Sequence, residues 1–405
     1  MRDPENELIA ILEKQRIDFT ASLPCEKIKV LLEKVEEAFF HVPLTREEEG
    51  VGICAGAALA GRRPAIFVQS SGIGNMINAL LSLTGLYRLP LAVFVSQRGI
   101  HKEKIAAQFP MGQRLPMILK GAGIPHSIVA KADDFKNIEK NLAKVYSDNA
   151  IHAFLLSPAI WEETCGSITG TEQRGHATTC PPSRRITSPP YAPCAAGKAE
   201  ADEYCDKKNY RRPRFTRFDI LALVAPYLDS KAVVCNLGFP SKELFYVKHQ
   251  PSNFYMLGSM GMATSLGLGI ALTSHKKVVV IDGDGSLLMN PGSLATAAHF
   301  SPGNLMILGI DNGSYGSTGD QPTLTRSCVD LELMAKGLGI KSTRKVSGRK
   351  SLLDAMKGHH ENLSFIHILA VPGNKDLPAI PLNPGEIKQQ VQDFLSQDEL
   401  CTHRQ

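Results

Sequence analysis

Short apolar runs alternate with longer stretches of mixed polarity along most of this chain. These runs predict buried strands at residues 65–69, 91–95, 153–156, 232–235, 278–281, 304–310 and 365–369. Segments of helical length lie between them, for example residues 135–146 and 294–300. Strands that alternate with helices predict an α/β fold with doubly wound parallel sheets.

The pattern stops in one region, which we interpret as a linker. Between Cys165 and Arg214 the only branched aliphatic residues are Ile168 and Ile186, and several prolines interrupt the segment. Such a segment buries too little apolar surface to offset its chain entropy, so we expect it to be flexible and disordered. The sequence therefore predicts a domain over residues 1–164, the linker over 165–214, a second domain over 215–390 and a C-terminal tail over 391–405.

Composition favours a soluble globular protein with a small-molecule partner. Hydrophobic residues make up 43% of the 405 positions, which is enough for sizeable cores. The net charge of +5 is small and its basic residues are dispersed, which argues against nucleic acid. No apolar run approaches the ~20 residues of a membrane span, so we expect no membrane contact and a cytoplasmic location. The nine cysteines show no Cys-x-x-Cys spacing, and those near His176 match no zinc site, so reduced thiols are expected.

The strongest chemical signal is a pair of strand ends. The run at 278–281 breaks into Asp282-Gly283-Asp284-Gly285-Ser286, and the run at 304–310 breaks into Asp311-Asn312-Gly313. A sharp turn at the first strand end would leave Asp284 exposed at the carboxyl edge of the sheet, where open α/β folds bind ligands. The helix predicted between the strands allows a right-handed crossover, so Asp284 and Asn312 can meet in one crevice. Hard oxygen ligands beside a diphosphate suit Mg²⁺.

Gly-Asp-Gly with an Asn 28 positions after Asp284 resembles the diphosphate motif of thiamine diphosphate enzymes. The resemblance implies that thiamine diphosphate and Mg²⁺ are the cofactors, with Asp284, Asn312 and the backbone carbonyl of Ser314 as metal ligands. The other residues that it implies in cofactor binding are Glu47, Gly238, Ser259, Met260, Gly283, Gly285, Ser286 and Tyr315. It also implies that the first domain holds the pyrimidine ring and the second holds the diphosphate, without the central domain of many relatives.

Two of these residues have specific implied roles. Alone, the acidic run at 47–49 is typical of a solvated first turn of a helix. The family carries a proton-exchanging glutamate nine positions before a helical glycine, and counting back from Gly56 gives Glu47, with Glu48 as the alternative. Met260 matches the bulky residue that bends the cofactor in such enzymes, whereas a methionine that fills a core gap is the alternative interpretation.

Further motifs narrow the resemblance. They are Ser70-Ser71-Gly72-Ile73-Gly74-Asn75, Gln97-Arg98-Gly99 and Asn236-Leu237-Gly238-Phe239-Pro240-Ser241. With them the chain resembles the sulfopyruvate decarboxylases of archaeal coenzyme M biosynthesis, with both subunits fused, over roughly residues 5–163 and 215–385. Phosphonopyruvate decarboxylases share much of this, but they usually carry an acidic Asp-Glu-Pro-Gln-His stretch where this chain has residues 101–108, which favours the sulfonate.

The resemblance implies a carboxy-lyase that converts 3-sulfopyruvate, an anionic 2-oxoacid, to sulfoacetaldehyde and CO₂. It also implies a homo-oligomer, at least a dimer, with sites between chains. A doubly anionic substrate needs fixed cations or hydrogen-bond donors. The candidates are Arg98, His101 and Lys102 for the sulfonate, with His101 also for catalysis, and Ser71, Gly72 and Asn75 for contact with the substrate or the pyrimidine. The alternatives are a basic loop that solvates itself, a structural turn at 71–75, phosphonopyruvate as the substrate, and a cofactor-binding module without catalysis.

Overall fold

The computed structural model describes residues 3–161, 212–358 and 362–397. The first of these ranges forms an α/β unit. Its strands are β1 (Phe19–Ser22), β2 (Phe40–Pro43), β3 (Pro64–Gln69), β4 (Leu91–Ser96), β5 (His126–Val129) and β6 (Ile151–Leu156). Its helices are α1 (Pro4–Lys14), α2 (Lys29–Ala38), α3 (Glu47–Leu59), α4 (Ser70–Ala79), α5 (Phe109–Gly121) and α6 (Phe135–Ser147), and a π-helical turn, Leu80–Gly85, continues α4.

The remaining two ranges form a second α/β unit. Its strands are β7 (Ala232–Cys235), β8 (Asn253–Tyr255), β9 (Val278–Gly283), β10 (Leu305–Asp311), β11 (Ser314–Tyr315), β12 (Gln321–Pro322), β13 (Ser342–Val346) and β14 (Ser364–Leu369). Its helices are α7 (Arg217–Val224), α8 (Phe239–Val247), α9 (Ala263–Thr273), α10 (Asp284–Met289), α11 (Gly292–Phe300), α12 (Leu331–Gly337), α13 (Arg349–Lys357) and α14 (Pro384–Ser396).

The two halves share one topology. The first sheet has the order β2-β1-β3-β4-β6-β5, and the second has the order β8-β7-β9-β10-β14-β13. Numbered within each half, both orders read 2-1-3-4-6-5, and every strand pairing in both sheets is parallel. The predicted fold class, two parallel α/β domains, is therefore confirmed. The β11–β12 hairpin is an addition to the second half, and it is antiparallel.

All seven predicted strands are present, as β3, β4, β6, β7, β9, β10 and β14. The predicted linker lies outside the described residues, apart from positions 212–214, as do its four cysteines and His176. Helix α14 runs through the tail boundary predicted at 390 and buries Val391 and Leu395, so the packed chain extends at least to Ser396.

Two glycine-rich helices join the halves. Helices α3 and α9 are buried on nearly all sides. A Cβ atom on Gly56 would lie 2.1 Å from the Leu266 carbonyl oxygen, and one on Gly269 would lie 2.0 Å from the Ile53 carbonyl oxygen. Only residues without a side chain allow backbones to approach this closely. One hydrophobic core consequently extends across both halves.

Four of the nine cysteines lie among the described residues. Cys25, Cys54 and Cys235 are buried, Cys328 is exposed, and all four have free thiols. Across residues 3–161, 212–358 and 362–397, the helices are too short or too polar to cross a bilayer.

Candidate active site

The two predicted strand ends meet at one edge of the second sheet. Strands β9 and β10 are parallel neighbours, with Gly283 opposite Ile310, so both strands end at the same edge. Asp284 and Asn312 follow there and line one cavity. The other residues that line it are Arg217, Asn236, Leu237, Pro240, Met260, Ile281, Asp282, Gly283, Gly285, Ser286, Ile310, Ser314, Tyr315, Gly316, Ser317 and Thr318. The cavity thus gathers most of the predicted cofactor-binding residues.

Asp284 is not exposed, contrary to the expectation from sequence. Only 4% of its surface is accessible, because the segment after β12 folds over it. Thr323 donates a hydrogen bond to Asp284 Oδ2 at 2.5 Å, and Thr325 donates to the same oxygen at 3.2 Å. Burial raises the pKa of Asp284, and the negative charge of Asp311 raises it further.

Three carboxyl groups are buried together at these strand ends. Besides Asp284 and Asp311, Asp282 is 3% exposed, and burial raises its pKa to about 6. Buried like charges are costly unless a cation or hydrogen-bond donors offset them. This electrostatic setting favours a bound cation.

The oxygen donors fit magnesium. Asp284 offers a carboxylate, Asn312 an amide oxygen and Ser314 a backbone carbonyl at the start of β11. Mg²⁺ is bound by few protein oxygens and completed by phosphate and water. Across the described part of the chain, no group of three or more His, Cys, Asp or Glu could hold a metal. One carboxylate and two neutral oxygens leave coordination positions for a ligand's phosphates and for water.

A buried network that the sequence did not indicate lies behind Asp284. Thr325 also donates to Asp311 Oδ1 at 2.7 Å, and His367 Nε2 lies 2.8 Å from Asp311 Oδ2. His367 Nδ1 is 3.5 Å from Asp330, which pairs with Lys345 at 2.6 Å. Burial opposes the charge on His367, but the two carboxylates outweigh it and raise the pKa of the imidazole. The only signal in the sequence was the histidine within the apolar run at residues 365–369.

Glu47 lies in the first turn of α3 and is 5% exposed. Asn75 Nδ2 donates to Glu47 Oε2 at 3.0 Å. A Cβ atom on Gly72 would lie 2.4 Å from Glu47 Oε1, so the carboxyl group packs directly on that glycine. Glu49 instead accepts hydrogen bonds from the backbone and hydroxyl of Thr45. Two of the predicted substrate residues therefore surround the predicted proton-exchanging acid.

Arg98 does not offer an unengaged guanidinium to a substrate. Its Nε and Nη2 donate to Glu103 at 2.6 and 2.9 Å, and both side chains are almost completely buried. Glu103 also accepts from the backbone N–H groups of Gly99, Lys104 and Ile105. The hydrogen bond from Arg98, the largest favourable effect, holds the pKa of Glu103 at about 2. The pair organises the loop after β4, a contact that the sequence did not indicate.

The remaining predicted residues lie around these two groups. His101 is half-buried and Lys102 is exposed on the loop after β4, and Ser71 is half-buried in the first turn of α4. Gly238 has a φ of 82° and precedes α8, near Ser317. The lining of the cavity comes from positions 217–318 and does not include Glu47. The structure therefore describes two separate groups of predicted residues, one in each half.

Family models match both halves. The N-terminal TPP binding domain of thiamine pyrophosphate enzymes matches residues 5–117, and the C-terminal TPP binding domain matches residues 241–368. The chain resembles in fold a crystal structure of benzoylformate decarboxylase from Polynucleobacter necessarius, with a TM-score of 0.70, 14% identity and coverage of 93% of this chain and 100% of that one.

Curated relatives match over the full length. A sulfopyruvate decarboxylase from Methanosarcina acetivorans is 40% identical over 97% of this chain and 98% of the relative. A phosphonopyruvate decarboxylase from Streptomyces viridochromogenes is 30% identical over 96% and 94%, respectively. The beta and alpha sulfopyruvate decarboxylase subunits of Methanococcus maripaludis match 44% and 36% of this chain at 43% and 40% identity, covering 97% and 89% of each subunit. Two separate subunits thus correspond to two halves of one chain.

The hydroxyl of Thr323 gives a test of the metal site. Thr323→Val removes the closest donor to Asp284 and leaves that buried carboxylate poorly oriented. We expect Mg²⁺ affinity to fall by about 10- to 100-fold, as for other residues that support a metal ligand. Calorimetric titration of Mg²⁺ with thiamine diphosphate present measures this. Thr343→Val, which removes a hydroxyl bonded to Glu332, is the control. Unchanged Mg²⁺ affinity in Thr323→Val would contradict the site.

Proposed function

The chain belongs to the thiamine pyrophosphate enzymes, in the group of the sulfopyruvate and phosphonopyruvate decarboxylases, and we propose that it decarboxylates 3-sulfopyruvate to sulfoacetaldehyde. The full-length match to the Methanosarcina acetivorans enzyme carries this proposal. A role in coenzyme M biosynthesis, in the cytoplasm, is part of the same proposal. The diphosphate site and Glu47 are both intact, which argues against a module that has lost catalysis.

In the second half, residues at the strand ends would hold the cofactor. Asp284, Asn312 and the Ser314 carbonyl would ligate Mg²⁺, and Gly285 and Ser286 would lie against the diphosphate. Bound thiamine diphosphate supplies an electron sink for the electron pair that the departing CO₂ leaves behind. Met260 would contact the rings, since it lines the same cavity.

In the first half, Glu47 would exchange a proton with the aminopyrimidine ring. The Asn75 amide fixes one of its carboxyl oxygens, and the Gly72 backbone packs on the other. A fixed orientation is needed because proton transfer requires hydrogen-bond distance between donor and acceptor. Gly72 and Asn75, which were predicted to contact the substrate or the pyrimidine, thus also position Glu47.

The substrate would lie near the loop after β4. Strands β2, β3 and β4 are parallel, so Glu47, α4 and this loop all follow strand ends at one edge of the first sheet. We propose Lys102 for contact with the sulfonate and His101 as the proton donor to the product. Arg98 would hold this loop through Glu103 and act on the substrate only indirectly. Phosphonopyruvate is the second candidate substrate, favoured by the Streptomyces relative.

We further propose a homo-oligomer, at least a dimer, with sites shared between chains. The cavity around Asp284 is lined by second-half residues alone, and the Asn75 side of Glu47 is exposed in one chain. A second copy could bring its Glu47 to this cavity. A symmetric arrangement would then build two equal sites.

Direct assay tests the reaction. The wild type with thiamine diphosphate and Mg²⁺ is expected to release CO₂ and sulfoacetaldehyde from sulfopyruvate, and to turn over phosphonopyruvate more slowly. Glu47→Gln keeps the size and the Asn75 contact but cannot exchange a proton, so we expect a loss of about 10²- to 10⁴-fold in kcat. Glu48→Gln is the matched control and should retain activity. Equal rates for Glu47→Gln and wild type would refute the role of Glu47, and faster turnover of phosphonopyruvate would reverse the substrate assignment.

A mixing experiment tests whether sites are shared. Glu47→Gln and Asp284→Asn are each expected to be inactive alone. If each site takes Glu47 from one chain and Asp284 from another, a dimer with one chain of each variant keeps one of its two sites intact, with about one half of the wild-type rate. Co-expression of the two variants with different tags, followed by tandem purification and assay, measures this. Absence of activity in the mixed oligomer would place both residues of a site in one chain.

A further inference from the structure

The loop that carries Met260 has a strained backbone. This Met260 loop, residues 257–261, connects β8 to α9. Ser259 has a φ of 58°, which is rare for a residue other than glycine. Such conformations persist only where the surroundings hold them, and they concentrate at ligand-binding sites. On its C-terminal side the loop is held within the second half, because Gly261 N–H donates to Ser286 Oγ at 3.1 Å.

On its N-terminal side, the loop is held by the first half. Tyr87 is 1% exposed and donates its hydroxyl proton to the Tyr255 carbonyl at 2.7 Å. The Tyr87 hydroxyl oxygen also accepts a hydrogen bond from Leu257 N–H at 2.9 Å. Burial raises the pKa of the Tyr87 hydroxyl, so it remains a donor. One side chain from the first half thus binds backbone groups on both sides of Met256.

A second contact reaches the strained residue itself. Ser82 Oγ and Ser259 Oγ are 2.6 Å apart. Ser82 donates its proton to the Asn78 carbonyl at 2.8 Å, so Ser259 is the donor in the shared bond. A Cβ atom on Gly258 would lie 2.9 Å from the Ser82 carbonyl oxygen, so the two backbones are in close contact. Ser82 Oγ therefore accepts a hydrogen bond from the hydroxyl of Ser259, the residue with the positive φ.

Both contacts come from one helical segment. Ser82 lies in the π-helical turn that continues α4, and Tyr87 lies two residues after its end. Such turns are rare and are often found at functional sites. The other end of this segment carries Asn75, which donates to Glu47. The segment thus contacts both Glu47 in the first half and the Met260 loop in the second half.

We propose that Ser82 and Tyr87 are positioning residues that hold the Met260 loop, so that the first half sets how Met260 contacts the thiamine rings. This inference rests on the proposed function, because that function assigns Met260 to the cofactor. Ser82 and Tyr87 act through the loop and do not line the cavity. Their effect should therefore fall on the rings of the cofactor and spare its diphosphate.

Comparison of two ligands separates these effects. Thiamine diphosphate with Mg²⁺ would contact both Met260 and the metal site, whereas inorganic pyrophosphate with Mg²⁺ tests the metal site alone. For Tyr87→Phe and Ser82→Ala, we expect thiamine diphosphate affinity to fall about tenfold while pyrophosphate affinity stays within about twofold. The near-ultraviolet circular dichroism of the bound cofactor should change as well. Tyr146→Phe, which loses a hydroxyl bonded to the Pro64 carbonyl in the first half, should leave both affinities unchanged.

The outcomes are distinguishable. Unchanged thiamine diphosphate affinity in both variants would overturn the positioning role and leave the proposed function intact. An equal loss for both ligands would also overturn it, because that indicates general loosening of the second half. Wild-type protein that binds pyrophosphate but not thiamine diphosphate would overturn the proposed function together with this inference. Ser82 is half-buried whereas Tyr87 is almost completely buried, so Ser82→Ala keeps the test valid even where Tyr87→Phe fails to fold.

Discussion

The structure depends on a concentration of buried negative charge at the ends of β9 and β10. Asp282, Asp284 and Asp311 lie there with little access to water. The protein offsets this charge with hydroxyl donors from Thr323 and Thr325 and with the imidazole of His367, and a divalent cation would complete the balance. The hydroxyls and the imidazole come from different segments of the second half, so the fold of this half and its metal site depend on each other.

The repeated topology explains how one chain supplies two kinds of site. Both sheets have strand ends at one edge, and each half uses that edge differently. The first half places the buried acid Glu47 there with the exposed Asn75 amide, and the second places oxygen donors near Asp284. The close approach of α3 and α9 at Gly56 and Gly269 fixes the halves in one body. Contacts across this junction, such as those of Tyr87 with the Met260 loop, then allow the first half to fix the position of a loop in the second half.

The sequence predicted what depends on local pattern. Continuous apolar runs identify central strands that are covered on both faces, and the spacing from Asp284 to Asn312 identified the cavity. It missed edge strands such as β13, whose Ser-Thr-Arg-Lys-Val sequence is mostly polar. It also expected an exposed Asp284, and it did not indicate that Glu103 engages Arg98. The partners Thr323 and Glu103 were missed because hydrogen-bond partners of single side chains leave no periodic signal.

The central claim is that Asp284 and Asn312 hold a magnesium ion that in turn binds the diphosphate. Calorimetric titration of thiamine diphosphate into wild-type protein, with Mg²⁺ and then with EDTA, tests it most directly when repeated on Asp284→Asn. We expect saturable binding to the wild type only with Mg²⁺ and strongly weakened binding to the variant. Equal affinity in all of these titrations would contradict the account.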